Sequence, residues 1–240
     1  MDNSWSTIHC LCLQSRIKRK QKAQLAYCEC AVNMLSPARN SPLHFVALSG
    51  NIEMAWFLIS HGADFVTNDY DETALHWACK SGNHTMVDLF LSQGADINAG
   101  DMDGNTPIHW ATENNHFELV ALLLKREDCY FDCKNYCGFT PLEVACMDDS
   151  AEVAEILINA GACTNRLIRI AVEYDCPNVA KLLKSLGLTL TEIDPTIFKL
   201  AMVNKSTSIF ATIFSSDPPE LKRISNNTTP HNRSPCKNVH

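Results

Sequence analysis

Apolar positions along the chain fall into short runs of helical period, separated by polar links that carry glycine, and the same order of runs returns several times. Segments such as MAWFLIS from Met54 and LVALLLK from Leu119 carry the longer amphipathic pattern. Each follows a shorter run that opens on Ser, Thr or Pro. Aligned on those openings, five stretches come into register: SPLHFVALSGN from Ser41, TALHWACKSGN from Thr73, TPIHWATENNH from Thr106, TPLEVACMDDS from Thr140 and the divergent RLIRIAVEYDC from Arg166. The position held by His44, His76, His109 and Glu143 recurs at intervals of 32, 33 and 34 residues. A second signature follows, as FLISHGAD ending at Asp64, LFLSQGAD ending at Asp96 and ILINAGAC ending at Cys163.

Each recurring residue has a mechanical reason. Thr73, Thr106 and Thr140 suit a helix N-cap, where a side-chain oxygen accepts an orphan backbone N–H. Pro42, Pro107 and Pro141 suit the first turn, where the missing N–H costs nothing. Gly50, Gly82 and Asn115 fall where the first helix must end and turn back, and both residue types tolerate left-handed backbone. The second helices end at Gly62, Gly94 or Gly161, and links such as Ala95 to Asn105 form projecting fingers to the next unit. No unit can bury its apolar face alone, so stacking supplies the core.

These motifs resemble the ankyrin repeat, over roughly residues 40 to 190. The resemblance implies an all-α fold: an ankyrin-repeat solenoid of helix-turn-helix units with projecting β-turn fingers. The repeat domain is expected over residues 26–214, clear at about 40–165 and degenerate over 166–214. Its ends would be a second helix of an N-terminal cap at Ala26 to Leu35 and a two-helix cap from Ile197. Between the fourth and fifth copies the interval from Gly161 to Gly187 falls to 26 residues, so most of one finger is missing there. A basic, flexible segment at 1–25 and a disordered Pro/Ser/Asn/Thr-rich tail at 215–240 complete the expected organisation.

Charge changes the picture once it is read by segment. The 240 residues carry −7 in total, but residues 40–165 carry −15, against +4 on either flank. An acidic repeat array repels phosphates, which excludes direct nucleic-acid binding and favours a basic segment of another protein as partner. In the family the binding surface is the concave side, built from finger residues and the exposed side of each first helix. By position this implies Tyr70, Glu72 and Lys80 in the second copy, and Met102, Asp103, Asn105, Glu113 and Asn114 in the third. In the fourth it implies Tyr136, Phe139, Met147 and Asp148. Tyr70 and Tyr136, flanking Met102, are residue types enriched in interaction hot spots. An alternative reading keeps the same carboxylates simply as a solubilising surface.

Other chemistry is thin. Histidines at 44, 76 and 109 lie one repeat apart, ~10 Å for packed helices, too far to share a zinc ion. The resemblance implies that they are the family's structural histidine, bonding the fingers together. Trp77 and Trp110 share one repeat position with Phe45 and Val144 and read as stacked core. Cys129, Cys133 and Cys137 lie in a finger, where four-residue spacing gives no common face. The C-x-C pairs Cys10/Cys12 and Cys28/Cys30 lack the two to four intervening residues usual within a zinc pair, so no metal and no cofactor is assigned. Cys10 and Cys12 beside a basic run also suit acylation. That run, Arg16, Lys18, Arg19, Lys20 and Lys22, has the composition of a nuclear-import signal. Asn98 resembles the finger asparagine hydroxylated in many ankyrin repeats, and Asn226, Asn227 and Asn232 match a glycosylation pattern meaningless in the cytosol.

No glycine-rich phosphate loop, G-x-S-x-G or H-E-x-x-H occurs, so an enzyme is not expected. No apolar run approaches the ~20 residues that span a bilayer, and the twelve scattered cysteines read as reduced thiols. The expectation is a monomeric cytoplasmic or nuclear adaptor or inhibitor, with an IκB-like inhibitor as its sharper form. The rival is the targeting module of an acyltransferase, lipase or ubiquitin ligase complex whose catalytic part lies elsewhere.

Overall fold

The threonine–proline starts and left-handed stops produce paired helices, each pair too short to persist alone in water and stabilised by packing on its neighbour. The computed structural model describes residues 9–13 and 32–187, which divide into two compact units. One ends at Cys129 and includes Lys134–Gly138; the other comprises Tyr130–Cys133 and runs on from Phe139. The first unit contains α1 (Pro42–Ser49) with α2 (Ile52–Ser60), α3 (Ala74–Lys80) with α4 (His84–Ser92), and α5 (Pro107–Glu113) with α6 (Phe117–Leu124). The second contains α7 (Pro141–Met147) with α8 (Ala151–Asn159) and α9 (Leu167–Tyr174) with α10 (Pro177–Ser185). No strand is formed among the described residues.

Stacking runs helix on equivalent helix. In the first unit α1 packs on α3 and α3 on α5, burying Leu43, Val46, Leu75, Ala78, Ile108 and Ala111 between layers. The second helices contribute one apolar face each: Met54 and Leu58 from α2, Met86, Val87 and Phe90 from α4, Leu119 and Leu123 from α6. Each fully buried side chain of this size contributes about 1.5–3 kcal/mol. Phe65, in the link after α2, meets Phe90 edge to face at 5.4 Å between ring centroids.

The turn between paired helices is the same in every copy: one residue in left-handed backbone. It is Gly50 (φ +69°), Gly82 (+68°), Asn115 (+55°), Asp149 (+52°) and Asp175 (+56°). At Gly82 a second constraint acts. The His116 ring lies 2.7 Å from where a Cβ would sit, held there by a 2.9 Å bond between its Nε2 and the Lys80 carbonyl. In the second unit Asp149 does further duty. The side chain at the N-cap of α10, Cys176, makes no capping bond, and the Asp149 carboxylate instead accepts the N–H groups of Asn178 and Val179, each at 2.9 Å.

Most of the segment expected at 1–25, the cap helix before residue 32, the cap from Ile197, the tail, the basic run Arg16 to Lys22, Cys28, Cys30 and the C-terminal asparagines lie outside the described residues. Cys10 and Cys12 lie on a helical turn at residues 9–12; Cys10 is exposed and Cys12 is buried.

Candidate functional site: the finger groove

The site begins with how the fingers are built. Asn68 and Asp101 occupy equivalent positions at the base of successive fingers. The Asn68 Oδ1 accepts the N–H groups of Tyr70 (2.9 Å) and Glu72 (3.0 Å), and Asp101 Oδ1 those of Asp103 (3.0 Å) and Asn105 (2.7 Å). These bonds close a tight turn whose left-handed residue is Asp71 (φ +54°) in one finger and Gly104 (+73°) in the next. Neighbouring fingers are joined by one backbone bond each: Asp69 N–H to the Ala38 carbonyl (3.2 Å), Met102 to Tyr70 (2.9 Å) and Tyr136 to Asp103 (2.8 Å). Those bonds fix the register. Met102 and Tyr136 are equivalent, and Tyr70 is one residue further along its turn, so the exposed trio is staggered rather than in line.

The histidines tie fingers to helices. The Thr73 N–H donates to His76 Nδ1 at 3.0 Å, with the Thr73 hydroxyl 2.9 Å away, and the opposite nitrogen, Nε2, donates to the Asn105 carbonyl at 3.0 Å. His44 does the same with Ser41 (3.1 Å) and with the Glu72 carbonyl (3.0 Å). His109 accepts the Thr106 N–H at 3.2 Å. A ring that accepts on Nδ1 and donates from Nε2 is the neutral tautomer. Burial lowers the pKa of both His44 and His76, against the opposing pull of the carbonyls they touch. In the second unit Glu143 replaces the histidine: its carboxylate accepts the Thr140 N–H at 3.1 Å and pairs with Arg166 at 3.3 Å.

The two tryptophans are anchored the same way. Trp77 Nε1–H donates to Glu72 Oε2 (2.8 Å), and Trp110 Nε1–H to Asp101 Oδ2 (2.9 Å). Their rings meet the ladder edge-on, Trp77 against His44 at 5.4 Å and Trp110 against His76 at 5.5 Å. The tryptophans are thus in the stack, as their repeat position implies, and also bind the finger bases through their N–H edges.

Between the second and third fingers and the exposed ends of α3 and α5 lies a groove of about 480 Å³. Its walls hold all eight residues inferred from the second and third copies: Tyr70, Glu72, Lys80, Met102, Asp103, Asn105, Glu113 and Asn114. Asp101 and Trp110 also line it. Sequence reasoning assigned Trp110 to the core alone and passed over Asp101, although Asn68 and Asn135 stand at the same repeat position as Asp101 and signal it. Tyr70 and Met102 are half exposed, and Tyr136, at 82% exposure, lies with its ring against Gly104. The Lys80 ammonium sits 5.2 Å from the centre of the Trp110 ring. The inferred residues Phe139, Met147 and Asp148 belong to the second unit. There the Arg166 guanidinium lies 5.9 Å from the Phe139 ring, Met147 is half-buried, and Asp148 is exposed, its carboxyl held above the ordinary value by partial desolvation.

The cysteines among the described residues differ in burial and environment. Burial pushes the Cys12 thiol up to about 12 and raises that of Cys79. The Cys146 thiol is raised by its hydrogen bond with Cys176 and by burial. Cys129 is buried, Cys133 half-buried and Cys137 exposed. No group of three His, Cys, Asp or Glu side chains among the described residues is arranged to hold a metal ion. The Asn98 amide donates to the Asp128 carbonyl at 2.6 Å. Among the described residues no helix is long and apolar enough to cross a membrane.

Comparison with known proteins agrees with the repeat geometry. Residues 11–101 and 99–168 match the family described as ankyrin repeats (3 copies). The chain is 28% identical over 197 residues to the transient receptor potential cation channel subfamily A member 1 homolog of Caenorhabditis elegans, a match covering 78% of the chain and 16% of that protein. It is 27% identical over 216 residues to transient receptor potential cation channel subfamily A member 1 of Homo sapiens, covering 85% of the chain and 16% of that protein. The chain therefore spans only a small part of the length of these relatives.

Proposed function

The chain belongs to the ankyrin-repeat family, and from that premise we propose that it is a non-enzymatic adaptor or inhibitor that grips a basic or mixed segment of a partner protein in the finger groove. The observation that carries this reading is the groove itself. Half-exposed Tyr70 and Met102 stand beside four carboxylates, those of Glu72, Asp101, Asp103 and Glu113, with Lys80 as the single cation among the described residues. Apolar area supplies affinity there, and the carboxylates select sign and speed encounter. The groove also rests on fingers whose turns are closed by buried or half-buried amide and carboxylate bonds, so it is formed before a partner arrives.

The test is a comparison of partners captured by the full chain and by a Tyr70→Ala, Met102→Ala, Tyr136→Ala variant, whose exposed side chains leave the stacked core untouched. Proteins held by the wild type, lost by the variant and eluted by moderate salt are the expected outcome. Capture of the same proteins by both forms refutes the groove as the partner site.

A further inference from the structure

The four carboxylates of the groove are not equivalent. Glu72 Oε2 already accepts from Asn68 (2.7 Å) and Trp77 (2.8 Å). Asp101 already accepts from two finger N–H groups and from Trp110. Both are spent on building the walls. Asp103 and Glu113 accept no side-chain bond and form no ion pair among the described residues, and both are exposed. Lys80, the one cation on the wall among the described residues, is placed over the face of Trp110 and pairs with neither. The groove thus presents two uncommitted negative charges next to the half-exposed ring of Tyr70 and thioether of Met102. Charge and apolar area side by side are complementary to an organic cation with an apolar stem.

We propose that the groove takes an arginine side chain from an extended segment of the partner, its stem crossing Tyr70 and Met102 and its guanidinium held by Asp103 and Glu113. This rests on the reading of the groove as the partner site. A guanidinium offers five N–H donors in a flat fork and so can serve two carboxylates at once; an ammonium acts as a point charge. It is also the more weakly hydrated cation and gives up less on leaving water for a half-apolar groove.

The experiment selects binders to the full chain from a phage-displayed library of random dodecapeptides and measures the best of them by fluorescence anisotropy. Arginine at one fixed place in the selected peptides is expected. Replacing it by citrulline, which keeps the shape and loses the charge, weakens binding by about tenfold. The Asp103→Asn, Glu113→Gln variant loses a similar factor, and combining it with the citrulline peptide adds little further loss, because both changes remove one interaction. Neither side chain makes a bond among the described residues, and the main-chain bonds of Asp103 are unaffected by the substitution, so the variant keeps the wild-type melting temperature. Equal binding of the citrulline peptide, or of a peptide with lysine in the same place, overturns the assignment. If binding falls with Tyr70→Ala or Met102→Ala but ignores Asp103 and Glu113, the groove stands as the partner site and the arginine does not. If selected peptides ignore all four residues, both readings fall.

Discussion

Mild acid should loosen the histidine ladder, and the size of the effect can be worked from its geometry. His44 and His76 are fully buried, and each is wired as a neutral ring: Nδ1 accepts an N-cap N–H and Nε2 donates across to the next finger. A proton added at Nδ1 faces a donor instead of an acceptor and brings a charge into the interior. Both pKa values lie below the ordinary 6.5 for this reason, burial being the largest cause. The folded chain therefore binds fewer protons than the unfolded chain once pH drops below 6.5. Stability is complete above that pH and is lost as pH falls from it toward the folded-state values. At about pH 5.5 a histidine kept neutral by the fold has lost up to about 1.4 kcal/mol, and the pair up to about 3 kcal/mol. Urea unfolding followed by circular dichroism at about pH 7.5 and about pH 5.5 reads this loss directly. The control is a His44→Gln, His76→Gln variant. Glu143 shows that a side chain of this shape accepts the N-cap N–H at 3.1 Å, so the capping box survives while the titration does not. The variant should be less stable at neutral pH and much less pH-dependent. An unchanged slope between the two pH values refutes the argument.

Three further substitutions probe the repeat turns and the fourth copy, where glutamate stands in place of histidine. Gly82→Ala combines left-handed strain with the His116 ring at 2.7 Å and should cost about 2–3 kcal/mol, whereas Gly62→Ala, at φ +81° with open space around it, should cost about 1 kcal/mol; equal thermal shifts would show that the ring gives way freely. Arg166→Ala leaves the buried Glu143 carboxylate without its 3.3 Å partner and should cost about 1–2 kcal/mol, a value reduced because the arginine is half exposed. Chemical denaturation should find most of that loss absent in a Glu143→Gln background, and a full loss there would place the arginine's role elsewhere.

The repeat and its helix pairs were legible because their causes are local. A Thr–Pro start, a histidine three residues after the cap and a glycine at the turn each leave a letter at a fixed offset. Legibility faded where one physical need admits several residues. Left-handed backbone costs asparagine and aspartate less than other side chains, so Asp149 and Asp175 fill the place of Gly50 and Gly82 without announcing it. The groove was half legible: the ankyrin resemblance, carried over by position, pointed to its eight wall residues in the second and third copies, whereas Asp101 was passed over and Trp110 was placed in the core alone. Their places in the wall depend on a hydrogen bond spanning nine residues, from Trp110 back to the base of its finger. The stagger of Tyr70 against Met102 and Tyr136 stands in the spacing alone: Tyr70 precedes His76 by six residues, whereas Met102 and Tyr136 precede His109 and Glu143 by seven. Which carboxylates are free is decided by their neighbours' donors rather than by their own identity.

At the fingertips, neighbouring fingers are joined by main-chain bonds, Asp69 to Ala38, Met102 to Tyr70 and Tyr136 to Asp103, while side-chain amides join them at the base, Asn68 to Asn40 and Asn135 to Asn105. The exposed side chains of Tyr70, Met102 and Tyr136 are thereby excused from holding the array together. Mutation at such a position can alter what the protein recognises while leaving what it weighs on the scale of stability nearly unchanged, within about half a kcal/mol. Recognition in this chain can drift, be exchanged or be redesigned one residue at a time, without a compensating change inside.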